Sequence, residues 1–419
     1  MKQDGYSMKI FFIYIAVAFM SGLISCQNNK IMSDSSKVNT VGEKAAQIMN
    51  ADNAFGFELF RQIRDVSNEN NLLISPLSVS VALSIAYNGA DSDTRKEMEN
   101  TLKLNGLSID QINAAYRNLI AGLQSKDPKI TFEIANALFY THGFKIKPDF
   151  LAVSEKVYDA EISSLDFNDP DAVKAINKWV DKKTHGKITD IISQLNPLDR
   201  MILLNAVYFY GTWSKEFDEH GTQIKPFTKN DGTKIEVPMM SKTDTIPYLA
   251  QKEFKAVELP YGEGSYKMVV ILPEEGYNSE DLISSLSIDK WQSWQEQFKL
   301  TERVQITMPR FKFAFETSLK DVLSALGMGK AFTPKVADFS RIADVDLHLS
   351  EVKHKTYIDV NETGTEAAAV TGAVFSTTSL IEQPPVVPFV VDKPFLFAIA
   401  ENESGAILFI GEVNHPEYK

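Results

Sequence analysis

Apolar residues recur every three or four positions at Phe55, Leu59, Ile63 and Val66, the spacing of one face of an α-helix. Ser75-Pro76 opens a second helix, with serine able to cap and proline suited to the first turn, and that pattern closes near Gly89. Two further helical windows, 172–184 and 319–326, are closed by Gly186 and Gly327. Residues 201–210, 266–272 and 406–413 are short β-branched or aromatic runs bounded by Gly or Pro, as buried strands require. Helices dominate the first half and strands the second, without an internal repeat, so the pattern predicts an α+β domain.

The N-terminal segment follows another logic. Lys9 precedes an apolar run over 10–24 that is short for a membrane span and ends as Leu23-Ile24-Ser25-Cys26. That ending resembles a bacterial lipobox, in which the signal is cut before the cysteine and the thiol is lipidated. An uncleaved anchor or a plain signal peptide is the alternative, and each of these exports the body. The expected division is a signal peptide at 1–25, lipidated Cys26 with a polar tether through 42 (Asn28, Asn29, Ser33, Ser35, Ser36), and a folded domain over 43–419. The localisation this implies is exported and membrane-anchored, periplasmic or at the cell surface, with the lipid as the membrane contact.

Composition sharpens this by exclusion. The 419 residues are 44% hydrophobic and 23% charged, so the chain can bury a substantial core. A net charge of -12 argues against a nucleic-acid partner, which needs clustered cations. The one basic stretch, Lys178, Lys182, Lys183 and Lys187, is interrupted by Asp181 and reads as a solvated helix face. A single cysteine permits no internal disulfide and no multi-cysteine metal site. Neither a Gly-x-Ser-x-Gly elbow nor a His-Glu-x-x-His helix occurs. His348, Glu351 and His354 suggest a metal trio, but on a strand over 345–354 Glu351 points away from both histidines. No catalytic residues, metal or cofactor are therefore expected, and the protein is read as not an enzyme.

The segment 362–379 is too rich in alanine and glycine for a core strand and too β-branched for a stable helix. As a strand it would place Thr365, Ala367, Ala369, Thr371 and Ala373 on one face, all of them small. A segment that must slide between two packed strands needs that property, because bulky side chains would overpack the gap. The same composition also suits a flexible surface loop.

These residues closely resemble the serpin family. Glu362, Gly364, Thr365, Glu366, Ala367, Ala368 and Ala369 look like the hinge of its reactive-centre loop. Asn71 with Ser75-Pro76-Leu77-Ser78, Ile176-Asn177-Lys178-Trp179-Val180, Asn205-Ala206-Val207-Tyr208-Phe209 with Gly211, Trp213 and Phe217, Leu259-Pro260-Tyr261, and Phe409-Ile410-Gly411 are similar to further family blocks. Tyr210 departs from the lysine usual at its position.

The resemblance implies a fold of three β-sheets and about nine helices, with the loop at about 362–385 exposed as bait. It implies a suicide-substrate inhibitor of serine endopeptidases, which traps the acyl-enzyme by inserting the cleaved loop into the central sheet. The target protease, held covalently, is the expected partner, and the inhibitor is expected to be a monomer. Counting from Gly364 puts the reactive bond at Thr378-Ser379, with Thr377 and Phe375 as alternatives. Ser75, Ser78, Asn205 and His354 match the family's shutter and Trp213 its breach, positions that also read as satisfied core polar residues. No Lys or Arg occurs over 364–392, which points to elastase-like or subtilisin-like targets rather than trypsin-like ones. The alternatives are a non-inhibitory serpin acting as a binding or chaperone module, and an inhibitor of chymotrypsin-like or cysteine proteases.

Overall fold

The structure, a computed structural model, describes residues 28–124, 126–365 and 384–418, with side chains from Lys44 onward. The chain divides into two units, Met1–Glu43 and Lys44–Lys419, and the second holds both sheets and the core. The first helix runs over Asn28–Val66, beginning inside the stretch predicted to be an irregular tether. No proline interrupts it, and backbone helix needs no apolar periodicity to continue. Phe55, Leu59 and Ile63 are buried as their spacing predicts, whereas Val66 is 63% exposed because the helix ends there.

Helix Pro76–Gly89 begins and ends where the sequence places it. Nearly every residue of it is buried, so it is a core helix rather than an amphipathic surface one. Ser75 occupies the cap position, but its hydroxyl makes no capping bond, contrary to expectation; proline fixes the first turn instead. The predicted helix at 172–184 is observed as Pro170–Lys183, and Gly186 follows at φ 79°, a left-handed conformation that glycine adopts without strain. The window at 319–326 is only a short helix, Lys320–Leu323, with a wider turn over Ser324–Met328 that contains Gly327 at φ 109°.

Two hydrogen-bonded sheets organise the strands among the described residues. A six-stranded sheet has the order Phe311–Ser318, Leu349–Val360, Gly364–Thr365, Met201–Thr212, Ile130–Thr141, Glu161–Leu165. A nine-stranded sheet contains the predicted strands, observed as Tyr266–Pro273 and Ile407–Val413. It joins what would otherwise be two sheets, because the 17-residue strand Lys234–Ala250 serves both halves and shifts register between Asp244 and Ile246. A shared, bent strand explains how three family sheets count as two by hydrogen bonding.

The strand Met201–Thr212 divides the core by alternation. Leu203, Val207 and Phe209 face the main core, which includes helix Pro76–Gly89. Ile202, Leu204 and Ala206 face a second cluster beneath helix Pro170–Lys183, with Ile176, Trp179 and Val180. The six-stranded sheet is therefore covered on both faces, and its middle is sealed from water.

Candidate functional site

Strands Met201–Thr212 and Leu349–Val360 run parallel, and they pair directly only from Leu349↔Met201 to Lys355↔Ala206. Beyond that point they part, and the two-residue strand Gly364–Thr365 lies between them, antiparallel to both. Thr365 pairs with Val360 on one side and Gly211 on the other. Two parallel strands with an antiparallel segment wedged between their far ends make a slot that is closed at one end and occupied at its mouth.

A polar cluster closes the slot. Asn205 and His354 face each other across the parallel pair, and His354 Nδ1 lies 2.9 Å from Asn205 Oδ1. The backbone N–H of Ser75 donates to His354 Nε2 at 3.1 Å, so the ring proton sits on Nδ1 and is donated to Asn205. Asn205 Nδ2 donates in turn to Ser78 O (3.1 Å) and to Asn136 Oδ1 (2.8 Å). Ser75 and Ser78 thus contribute backbone groups, and their buried hydroxyls make no hydrogen bond. One imidazole and one amide tie together two parallel strands, a third strand and the start of a core helix. Burial pushes His354 from an ordinary value of 6.5 down to about 3, so it is neutral at physiological pH.

The mouth is held by a different chemistry. Trp213 N donates to Thr363 O (2.8 Å), Trp213 Nε1 to Asn361 O (2.9 Å), and Phe217 N to Glu362 O (2.9 Å). Three consecutive carbonyls just before the wedged strand are therefore held by one short segment. The Glu362 carboxylate, 3% exposed, receives Arg310 through Nε (2.7 Å) and Nη2 (2.6 Å), and also Thr222 Oγ1. Breaking such a buried pair costs about 3–5 kcal/mol because the remaining charge loses its partner. Thr365 Oγ1 lies 2.6 Å from the hydroxyl of Tyr261, whose ring stacks on Trp213 at 4.4 Å and 12°. At Gly364 a Cβ would sit 2.2 Å from Gly211 O, so only glycine lets the segment approach the strand beside it. Lys242 Nζ lies 4.5 Å from the Phe217 ring, and burial lowers its amine to about 8.

This geometry can be compared with known proteins. Residues 50–416 match the family described as Serpin (serine protease inhibitor). The chain belongs to the serpin family. A serpin-like protein of Thermococcus kodakarensis is 35% identical over 374 residues, 88% of this chain and 86% of that one. The leukocyte elastase inhibitor of Bos taurus is 34% identical over 383 residues, 88% and 100% of the two chains. The native thermophilic serpin tengpin superposes with a TM-score of 0.81 at 32% identity, covering 88% of this chain and 94% of that one. The serpin fold expected from the motifs is thereby shown, and the family is one of protease inhibitors rather than catalysts.

The structure brings Ser75, Ser78, Asn205 and His354 together at the closed end, and Trp213, Glu362, Gly364 and Thr365 together at the mouth. Cys26, Glu366, Ala367, Ala368, Ala369, Phe375, Thr377, Thr378 and Ser379 lie outside the described residues. Glu351 accepts from Ser318 Oγ (2.6 Å), and among the described residues no three His, Cys, Asp or Glu side chains cluster as metal ligands. Sequence reasoning assigned no role to Arg310 or Thr222, which stand 52 and 140 residues from Glu362 in the chain. It quoted Phe217 and Tyr261 inside family blocks without giving them a function.

A neutral, buried histidine gives a pH test. Its folded value lies below its unfolded one, so its stabilising effect is complete above pH 6.5 and is lost as pH falls toward 3, by about 1.4 kcal/mol per unit. Asp52, pushed from 3.8 up to about 7 by burial, acts in the opposite sense over the same range: its contribution is complete below 3.8 and is lost as pH rises to 7. A His354→Gln variant isolates the histidine. As pH is lowered from 7 to 5, the thermal midpoint of the native chain should fall relative to that of the variant, and equal slopes would refute a buried neutral His354.

Proposed function

We propose that this serpin is a suicide-substrate inhibitor of elastase-like or subtilisin-like serine endopeptidases. What carries the reading is the wedged strand Gly364–Thr365: the sheet is parted at this end and already holds the first residues of an antiparallel strand. Extended in the same register, residues after Thr365 would run opposite Tyr210 to Val207 on one side and Asp359 to Thr356 on the other. Thr365 faces the main core through Tyr261, so Ala367, Ala369, Thr371 and Ala373 would follow it inward. Their small size suits a slot between packed strands.

In this reading a protease attacks the reactive-centre loop at Thr378-Ser379 and forms an acyl-enzyme on the Thr378 carbonyl. The cleaved loop then continues the strand that Thr365 begins, and the acylated protease is carried away from the mouth. Ser75, Ser78, Asn205 and His354 act as the shutter that must part for the strand to advance. Trp213, with the Glu362–Arg310 pair, acts as the breach that positions the hinge. Phe375 supports a second specificity, toward chymotrypsin-like enzymes, because an aromatic residue lies in the same loop. Cleavage there would shorten the inserting strand. We also infer that Cys26 is lipidated and tethers a monomeric inhibitor to an exported membrane face.

Three measurements test these readings. Mixing the body with elastase or subtilisin at near-equal concentration should yield a denaturant-resistant band at the summed mass, with a released peptide beginning at Ser379. Clean cleavage without that band would move the protein to the non-inhibitory class. Thr365→Arg places a charged side chain where the native one is 2% exposed against Tyr261, so trapping should give way to cleaved inhibitor and active protease. Unchanged trapping in that variant would contradict insertion. Expressed in bacteria, the full chain should enter the detergent phase on phase separation, and Cys26→Ala should not; equal partitioning would rule out the lipid.

A further inference from the structure

Beyond the breach tryptophan, the mouth of the slot is gripped from outside by a segment that the motifs leave unexplained. After strand Ile407–Val413 the chain is pinned by Asn71, whose Oδ1 accepts from the backbone N–H groups of Asn414 and His415 and whose Nδ2 donates to His415 O (2.8 Å). Glu417 O then accepts from Lys312 N at 2.8 Å, extending along the outer edge of strand Phe311–Ser318. This delivers Tyr418 to Arg310, whose guanidinium carbon lies 5.3 Å from the centre of the tyrosine ring. Arg310 is the same residue that grips Glu362.

We propose that Tyr418 is a positioning residue for the hinge: its ring holds the Arg310 guanidinium in the orientation that pairs with Glu362, so residues 414–418 set how readily the slot opens. Three observations favour this over simple surface packing. Arg310 is already committed at its backbone, where its N–H donates to Pro238 O (2.9 Å), so the guanidinium's direction is what remains to be fixed. The ring supplies a face that a planar cation prefers. Its hydroxyl end lies toward Asp359 and Asn361, and Asn361 begins the turn into the hinge by accepting from Thr363 N and Gly364 N through Oδ1. The segment thus touches the slot's rim at Asp359 and Asn361, immediately before Glu362.

The proposal rests on the inhibitor reading for its consequence but not for its test. The test is a double-mutant cycle on thermal midpoints with Tyr418→Ala and Glu362→Gln, two residues that both engage the Arg310 guanidinium. If Tyr418 works through Arg310, the two losses are non-additive, because once the carboxylate is gone the ring has nothing left to position. Additive losses would overturn the proposal, since a merely structural role predicts them. Tyr418→Phe keeps the ring face and gives up only the hydroxyl's contacts with Asp359 and Asn361, so it should lose less than the Ala variant; a Phe variant as weak as the Ala variant would also overturn the proposal.

The functional readout is the amount of inhibitor consumed per protease trapped. Tyr418→Ala should raise it about two- to fivefold, the ratio that corresponds to an exposed cation–π contact, and Tyr418→Phe should not. A native chain that traps no protease would sink the inhibitor reading while leaving the cycle to decide the coupling. Non-additivity with unchanged consumption would confine Tyr418 to stability and refute its role in slot opening. Far-UV circular dichroism establishes that each variant is folded before either comparison is made.

Discussion

The hydrogen bond from His354 to Asn205 crosses the place where two parallel strands stop pairing, and the arrangement of the slot depends on it. Parallel strands separated beyond that point leave backbone groups that need partners, and a buried unpaired amide is costly. Asn205 satisfies three acceptors and donors at once, reaching helix Pro76–Gly89 behind and strand Ile130–Thr141 beside it. The histidine must remain neutral to accept from Ser75 N, and burial keeps it so. The closed end thus adds a few directional bonds to the apolar packing on the sheet's two faces.

The opposite end of the slot uses charge and aromatic surface. Carbonyls of residues 361–363 are fixed by Trp213 and Phe217, while the Glu362 side chain is fixed by Arg310. Gly364 and Thr365 then enter the sheet as a two-residue strand between their neighbours.

The motifs carried most of the fold because they sit where chain direction and close packing leave little choice. Gly364 is required because a Cβ there would sit 2.2 Å from a neighbouring carbonyl oxygen, Pro76 suits the first turn of a core helix, and Gly186 supplies a left-handed residue after Lys183. Such positions leave a mark in sequence because few side chains satisfy them. The exposed end of Val66, the missing cap at Ser75 and the short helix after Leu319 went the other way: local pattern does not say where tertiary contacts stop an element.

What the sequence by itself determined was the family, the α+β class, and the polar residues that gather at the closed end of the slot. Tertiary structure alone decided that Gly364–Thr365 is already a strand between its neighbours, that Ser75 and Ser78 act through their backbones, and that Arg310 reaches both Glu362 and the Tyr418 ring. The physical reason is the range of the interactions. Propensity, alternation and close-packed glycines act within a few residues and are written locally, whereas an ion pair between positions 310 and 362, or a ring placed by residue 418, exists only once distant strands have been brought to one edge of the sheet.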